Sequence, residues 1–233
     1  MPDFAELSQL AQLCNVAYGD NAEKRAAAAE ALGLPVVASY ETEDHQAIIC
    51  RATDGRNILA ISGTRFSDGN LAELFDDAFV LPSFANPDVM AGFHRGNAEL
   101  YRWALKTVVT RIDTITGHSL GGSRAHLAPL WLPSDSIGKI VSFGAPKAAT
   151  EAYWVRFTTP LTRVVHGRDL WAGWPLLPPW TQPEPMLWLH SGQAVEYTEK
   201  QWPGGLLPSD HSITAGYCRS LAALASAPPF GAH

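Results

Sequence analysis

Ile115-Thr116-Gly117-His118-Ser119-Leu120-Gly121-Gly122 decides how this chain is read. It closes a short apolar stretch, Ile112 to Thr116, and opens a helix, Leu120 to Leu132, with Ala125, Leu127, Ala128 and Leu132 for packing. Ser119 therefore stands at the centre of Gly-x-Ser-x-Gly, between a buried strand and a helix. Gly117 and Gly121 have no side chains where the turn brings helix and strand together. Ser119 can then take a strained conformation and point its hydroxyl outward. Glycine and serine are common in loops, so the pentapeptide alone is a weak signal; the strand before it and the helix after it make it informative.

Outward from this turn, strands and helices alternate. Phe4 to Tyr18 reads as an amphipathic helix, with Phe4, Leu7, Leu10, Ala11, Cys14 and Tyr18 on one side. Ala22 to Leu32 is a second helix, stopped by Gly33 and Pro35. Val36 to Tyr40, Gln46 to Arg51 and Asn57 to Ile61 read as strands, the last two joined by an Asp54-Gly55 turn. Asn97 to Val109 is a helix, Lys139 to Phe143 and Leu161 to Val165 are strands, and Glu151 to Phe157 is a short helix or irregular segment. Gly167 to Pro185, rich in Pro and Trp, reads as an ordered loop. Met186 to Ser191 and Gln193 to Tyr197 form a late strand pair, and Ser212 to Leu224 is the last long helix. This spacing predicts an α/β fold whose mostly parallel central sheet carries helices on both faces. The reading is one domain over 1–233, with the N-terminal helices of 1–34 packed on its core.

Composition narrows the function. The 233 residues are 46% hydrophobic and 17% charged, with a formal net charge of −6, so the chain is globular. No block of Lys or Arg suggests nucleic acid as a partner. Charge-poor stretches are broken by Pro and polar residues, so none reads as a transmembrane segment. Met1-Pro2-Asp3 runs straight into a helix without the order of a signal peptide. That favours the cytoplasm if the sequence is complete at its N-terminus, and secretion if a leader has been removed. Cys14, Cys50 and Cys218 read as buried thiols rather than a disulfide framework or a metal site.

A serine nucleophile needs a base at hydrogen-bonding distance and a carboxylate to orient that base. In this architecture the expected chain order is Ser, acid, His. Asp169, in His166-Gly167-Arg168-Asp169, follows the strand Leu161 to Val165 and could otherwise be a solvated turn acid. His211, in Ser209-Asp210-His211-Ser212, precedes the last helix and could otherwise be a polar helix start. Asp210 is the strongest alternative acid, although adjacent side chains diverge. His94 and His166 are bases by type only, and His166 precedes Asp169. His118 is expected to pack behind the turn, and Asp135 to lie away from the site. The oxyanion of an acyl-transfer intermediate needs two backbone donors. Leu120, first in the helix after Ser119, supplies one, and Thr64, in Ser62-Gly63-Thr64-Arg65, is the best candidate for the other.

The chain resembles the class 3 lipase family of α/β hydrolases. Ile61-Ser62-Gly63-Thr64 is similar to its oxyanion segment and Ala91-Gly92-Phe93 to its step before a long helix. Thr116 to Gly122 matches its elbow, and Phe143-Gly144-Ala145-Pro146 the segment after its next strand. Asp169 with Pro175-Leu176-Leu177-Pro178-Pro179 resembles its acid loop. His190-Ser191-Gly192 with Glu196 and Tyr197, and Asp210-His211-Ser212 with Tyr217, complete the likeness over roughly residues 45 to 225. The resemblance implies an α/β-hydrolase fold and a serine-dependent carboxylic ester hydrolase, lipase or esterase, working through an acyl-enzyme. It carries the triad onto Ser119, Asp169 and His211, and the oxyanion donors onto Thr64 and Leu120, with no cofactor and no metal. Many members carry a helical lid after the oxyanion residue, here Arg65 to Leu81. Its apolar members Phe66, Leu71, Leu74, Phe75 and Phe79 fit a lid and a packed core face equally. The acid loop is longer than usual for the family, and the chain is short for a secreted lipase.

The partner expected is an ester or lipid substrate. Trp171, Trp174, Leu176, Leu177 and Trp180 beside the acid loop, with Trp202, Leu206 and Leu207 before His211, are placed to wall an apolar cleft. Trp171, Trp174, Leu176, Leu177 and Trp202 are taken as its substrate-binding residues. An exposed patch among them would instead mean transient contact with a lipid interface. Two alternatives stay open: a phospholipase or other amphiphile acyl hydrolase, and a non-catalytic α/β-hydrolase-like binding protein.

Overall fold

Asp3 and Asn21 start the first two helices with their side chains: Asp3 accepts from the Glu6 amide at 3.0 Å and Asn21 from the amides of Glu23 and Lys24. The computed structural model describes residues 2–42, 45–63, 81–108, 110–205 and 207–227. The helices are α1 (Phe4–Ala17), α2 (Ala22–Ala31), α3 (Ala91–His94), α4 (Asn97–Thr107), α5 (Leu120–His126), α6 (Glu151–Trp154) and α7 (Arg219–Ser226). The strands are β1 (Val36–Glu41), β2 (Gln46–Arg51), β3 (Asn57–Ile61), β4 (Ile112–His118), β5 (Ile137–Phe143), β6 (Ala149–Thr150), β7 (Leu161–His166), β8 (Trp180–Thr181), β9 (Met186–His190) and β10 (Gln193–Tyr197).

Eight strands form one sheet in the order β1-β2-β3-β4-β5-β7-β9-β10. The centre from β3 to β9 is parallel, while β1, β2 and β10 join antiparallel at the two sides. Both faces of the central strands are covered, which explains why β2 and β3 read as near-continuous apolar runs. Alternation still sorts them. Ile48, Cys50, Ile58 and Ala60 pack with Leu7, Leu10 and Cys14 of α1 and Leu221 of α7. Ala47, Ile49, Leu59 and Ile61 face Leu100, Tyr101 and Ala104 of α4 and Ala125 of α5. Each fully buried leucine of α1 contributes roughly 2 kcal/mol, so this helix is docked by its apolar face.

Three elements depart from the expected pattern. The helix after Ser119 ends at His126 and continues only as a 3-10 turn, Ala128–Leu130, because Pro129 has no N–H to donate. The last helix opens as a π-helix, Ile213–Cys218, before α7. The Pro- and Trp-rich loop contains a 3-10 turn, Trp171–Gly173, and the short strand β8, which pairs with β6. Cys14 and Cys50 are buried free thiols, and Cys218 is half-buried and free. No helix among the described residues is long and apolar enough to cross a membrane.

The elbow is where the packing is tightest. A Cβ added at Gly117 would lie 2.4 Å from the Gly121 carbonyl, and one at Gly121 would lie 2.2 Å from the Ile61 carbonyl oxygen at the end of β3. Both contacts are with backbone, so relief requires the strands and α5 to part. Gly121→Ala is expected to lower the unfolding free energy by about 3 kcal/mol, read as a lower urea midpoint at unchanged slope. A wild-type midpoint would mean that α5 has room to move off β3.

Candidate active site

β4 runs into the centre of the sheet, and the chain then reverses at one residue. Ser119 takes φ 57° and ψ −129°, a conformation that costs a non-glycine residue of order 1–3 kcal/mol. Its amide is fixed on the Phe143 carbonyl at 2.9 Å, and its own carbonyl accepts from Gly122 and Ser123. The Ser119 hydroxyl is thereby held above the C-terminal ends of β4 and β5, with 5% of the residue exposed. Leu120 is the first residue of α5, where the helix leaves its amide without an internal acceptor.

Two loops bring the remaining groups to Ser119. Asp169 follows β7, and the segment leading to His211 pairs with it through a bridge between Asp169 and Leu207. The Leu207 amide donates to the Arg168 carbonyl at 3.1 Å, and Asp210 accepts from the Arg168 amide at 2.8 Å. His211 then lies with Nε2 at 2.8 Å from Ser119 Oγ and Nδ1 at 2.9 Å from both Asp169 oxygens. Asp169 is 0% exposed and is held by further donors: the Trp171 amide to Oδ1 at 2.9 Å and the Tyr217 hydroxyl to Oδ2 at 2.5 Å. Three charge-assisted donors on one buried carboxylate offset its desolvation. Burial and the neighbouring Asp169 charge push the Tyr217 hydroxyl well above the usual tyrosine range, so it stays a donor.

The rivals fall elsewhere. Asp210 uses its carboxylate to hold the acid loop. His166 Nδ1 is 3.1 Å from the Asp210 carbonyl, and His94 packs against Trp131. His118 is buried beside His211, with ring centroids 4.6 Å apart. A second serine–histidine pair, Ser142 and His126 at 2.8 Å, is sealed in the core, where burial pushes His126 down to about 3.

Of the residues expected to wall a cleft, Trp171 meets the His211 ring edge to face with centroids 6.3 Å apart, and Trp174 is half-buried against the cluster of Leu120, Val89 and Trp180. Trp202 goes into the core instead. It packs with Val165, Ala172 and Trp188 and donates its indole N–H to the Gly167 carbonyl, because a tryptophan under a loop serves as its anchor. Leu176 and Leu177 are 73% and 75% exposed, on the surface rather than in a cleft. Thr64, Arg65 to Val80 of the expected lid segment, and Leu206 lie outside the described residues. The residue before Thr64 is in place: a Cβ added at Gly63 would lie 3.0 Å from Ser119 Cβ.

Residues 58–178 match the class 3 lipase family. The chain belongs to that family. It is accordingly a serine-dependent carboxylic ester hydrolase, a lipase or esterase, and lipid esters are its substrate class. No curated protein sequence matches the chain. Among solved structures, the lipase of Rhizomucor miehei is 19% identical with a TM-score of 0.67, over 94% of this chain and 77% of that one. A mutant form of MDLA from Penicillium cyclopium is 16% identical with a TM-score of 0.69, over 94% and 97%. A triacylglycerol lipase from Penicillium expansum is 18% identical with a TM-score of 0.59, over 92% and 96%. These likenesses establish the α/β-hydrolase fold.

In this class 3 lipase, two residues of the segments that resemble the family, Gly144 and Tyr217, stand beside the triad candidates. A Cβ at Gly144 would lie 2.6 Å from Asp169 Oδ2 and 2.7 Å from the Tyr217 hydroxyl, which explains the glycine of Phe143-Gly144-Ala145-Pro146. Tyr217 reaches Asp169 because the π-turn adds one residue, with its amide on the Ser212 carbonyl at 3.3 Å, and so rotates the side chains after it by about 100°. Gly216 permits that turn, since a Cβ there would lie 2.9 Å from His166 Nδ1. Tyr217→Phe is expected to lower kcat about 10-fold in a folded protein, as the carboxylate loses one of its orienting donors. Unchanged kcat in ester hydrolysis would show that His211 and the Trp171 amide suffice.

Proposed function

We propose that Ser119 is the nucleophile, His211 the general base and then acid, and Asp169 the carboxylate that fixes His211. The observation that carries this reading is the unbroken run from Ser119 Oγ to His211 Nε2 at 2.8 Å and from His211 Nδ1 to Asp169 at 2.9 Å. His211 takes the Ser119 proton as Oγ attacks the ester carbonyl. Asp169 holds the tautomer with the proton on Nδ1 and stabilises the imidazolium. The tetrahedral oxyanion is bound by the Leu120 amide and by the amide of Thr64, a placement supported by Gly63 lying against Ser119. His211 then protonates the leaving alcohol, and water repeats the sequence on the acyl-enzyme.

The acyl group is read as apolar. Trp171 beside His211 and Trp174 beside the Leu120 cluster support an acyl or aryl site on the C-terminal side of the sheet. Exposed Leu176 and Leu177, in the loop that follows Asp169, support transient contact with a lipid interface. The N-terminal helices share a core cluster with sheet residues, which supports one domain over the chain.

Hydrolysis of p-nitrophenyl esters from acetate to palmitate tests these assignments. Ser119→Ala is expected to lower kcat by at least about 10⁴-fold on every chain length, with the fold intact. Substantial retained turnover would remove Ser119 from the mechanism. Asp169→Asn is expected to cost about 10⁴-fold, because the amide favours the wrong imidazole tautomer. Asp210→Asn keeps an oxygen for the Arg168 amide and is expected to leave kcat near wild type. The reverse ranking would make Asp210 the orienting acid.

A further inference from the structure

Tyr18 is the C-cap residue of α1 and lies outside the segment that matches the family. Its hydroxyl is 2.8 Å from His118 Nδ1 and 3.5 Å from the His118 carbonyl oxygen. Gly63 lies against the same phenol oxygen. On the other side of the His118 ring, Nε2 is 2.8 Å from the His211 carbonyl oxygen.

The protons in this set have one consistent assignment. A carbonyl oxygen can only accept, so His118 Nε2 carries a hydrogen. Burial holds His118 well below the usual histidine range, and the neighbouring His211 pushes the same way, so the ring is neutral and Nδ1 is a lone pair. Tyr18 must then donate to Nδ1. Burial raises Tyr18 far above the ordinary tyrosine value, so the phenol keeps the proton it donates. The result is a one-directional relay. Tyr18 O–H donates to His118 Nδ1, and His118 Nε2–H donates to the carbonyl of His211. Hydrogen bonds aligned in this way polarise one another.

The relay, with the contact of Tyr18 on Gly63, brings together the three segments that the reaction requires. Gly63 immediately precedes Thr64, His118 immediately precedes Ser119, and His211 is the far end. We infer that Tyr18 and His118 are positioning residues for ester hydrolysis, which hold the backbone of His211 and the Gly63 loop in register with Ser119. The inference rests on the roles proposed above for Ser119, His211 and Thr64. It gives α1 a part in turnover besides its packing. A phenylalanine would fill the apolar space at position 18 equally well. It would leave His118 Nδ1 without its donor. The seat is close: a Cβ at Gly63 would lie 2.1 Å from the Tyr18 oxygen, so phenol and loop are fitted to each other at that glycine.

The test is steady-state hydrolysis of p-nitrophenyl butyrate by Tyr18→Phe, His118→Leu, His118→Gln, the Tyr18→Phe/His118→Leu double variant and Ser119→Ala. Each is assayed at a temperature where circular dichroism shows it folded. Tyr18→Phe is expected to lower kcat about 10-fold or more with KM within about twofold, since the ester site is retained and only the alignment is lost. His118→Leu should lose at least as much. His118→Gln, whose amide can still donate to the His211 carbonyl, should recover part of it. Adding Tyr18→Phe to His118→Leu should cost almost nothing further, because the relay is already broken. A role confined to packing predicts lower stability with wild-type kcat in the folded fraction. The inference is overturned if Tyr18→Phe keeps kcat within about twofold of wild type while Ser119→Ala is inactive. If Ser119→Ala itself retains turnover, the underlying assignment of Ser119 fails instead. Should His118→Leu not fold, Tyr18→Phe alone decides the matter by the same criterion.

Discussion

The tight turn at Ser119 is the constraint around which the other parts are arranged. A serine at positive φ is strained, and the strain persists only because neighbouring backbone leaves it nowhere to relax. β4 and α5 meet at Gly117 and Gly121, and α5 meets β3 at the carbonyl of Ile61, with no room for a Cβ at either glycine. The Ser119 amide is anchored on β5. The hydroxyl is therefore aimed by three parallel strands and a helix at once. That rigidity suits a group proposed to react, because its orientation need not be acquired when an ester arrives.

A buried carboxylate sets the second requirement. Asp169 has no exposure, and an isolated charge there would be untenable without its donors. His211, the Trp171 amide and the Tyr217 hydroxyl satisfy it from three different directions. To bring them together, the acid loop and the segment before His211 are joined by the Asp169–Leu207 bridge and the Asp210–Arg168 contact. Glycine appears where these loops approach most closely. A Cβ at Gly205 would lie 2.3 Å from the Asp169 carbonyl oxygen, and one at Gly144 would meet the carboxylate itself. The π-turn after His211 belongs to the same solution, since an ordinary α-turn would aim Tyr217 away from Asp169.

The aromatic residues of this region divide by environment. Trp202 and Trp180 are buried anchors for long loops, whereas Trp171 and Trp174 are half-buried near His211 and Leu120. Leu176 and Leu177 project into solvent. One compositional signal, tryptophan abundance beside the acid loop, thus serves two physical ends, and only contact geometry separates them. α1 follows the same logic. Its apolar face docks it, and its last residue delivers a hydroxyl to the histidine beside Ser119.

Features that depend on local periodicity and turn chemistry can be read along the chain. Strands β2, β3 and β4, helices α1, α2 and α4, the elbow between its glycines, and the chain order Ser119, Asp169, His211 were all legible, because burial and backbone conformation leave a mark every two or 3.6 residues. Features that depend on which distant segments meet emerge only once the chain is folded. Folding distinguished the carboxylate facing His211 from its neighbour in the chain, Asp210, which holds a loop amide. It turned His118 from a packed residue into a hydrogen-bonded one and recruited Tyr217 and Tyr18. It also sent Trp202 into the core. His118, Asp210 and Tyr217 stand in segments that resemble the family, but no sequence pattern shows which partner any of these residues takes. A hydrogen bond is made to whatever polar atom lies within about 3 Å after folding, and residues 100 apart in the chain share that neighbourhood only when the sheet and its helices are assembled.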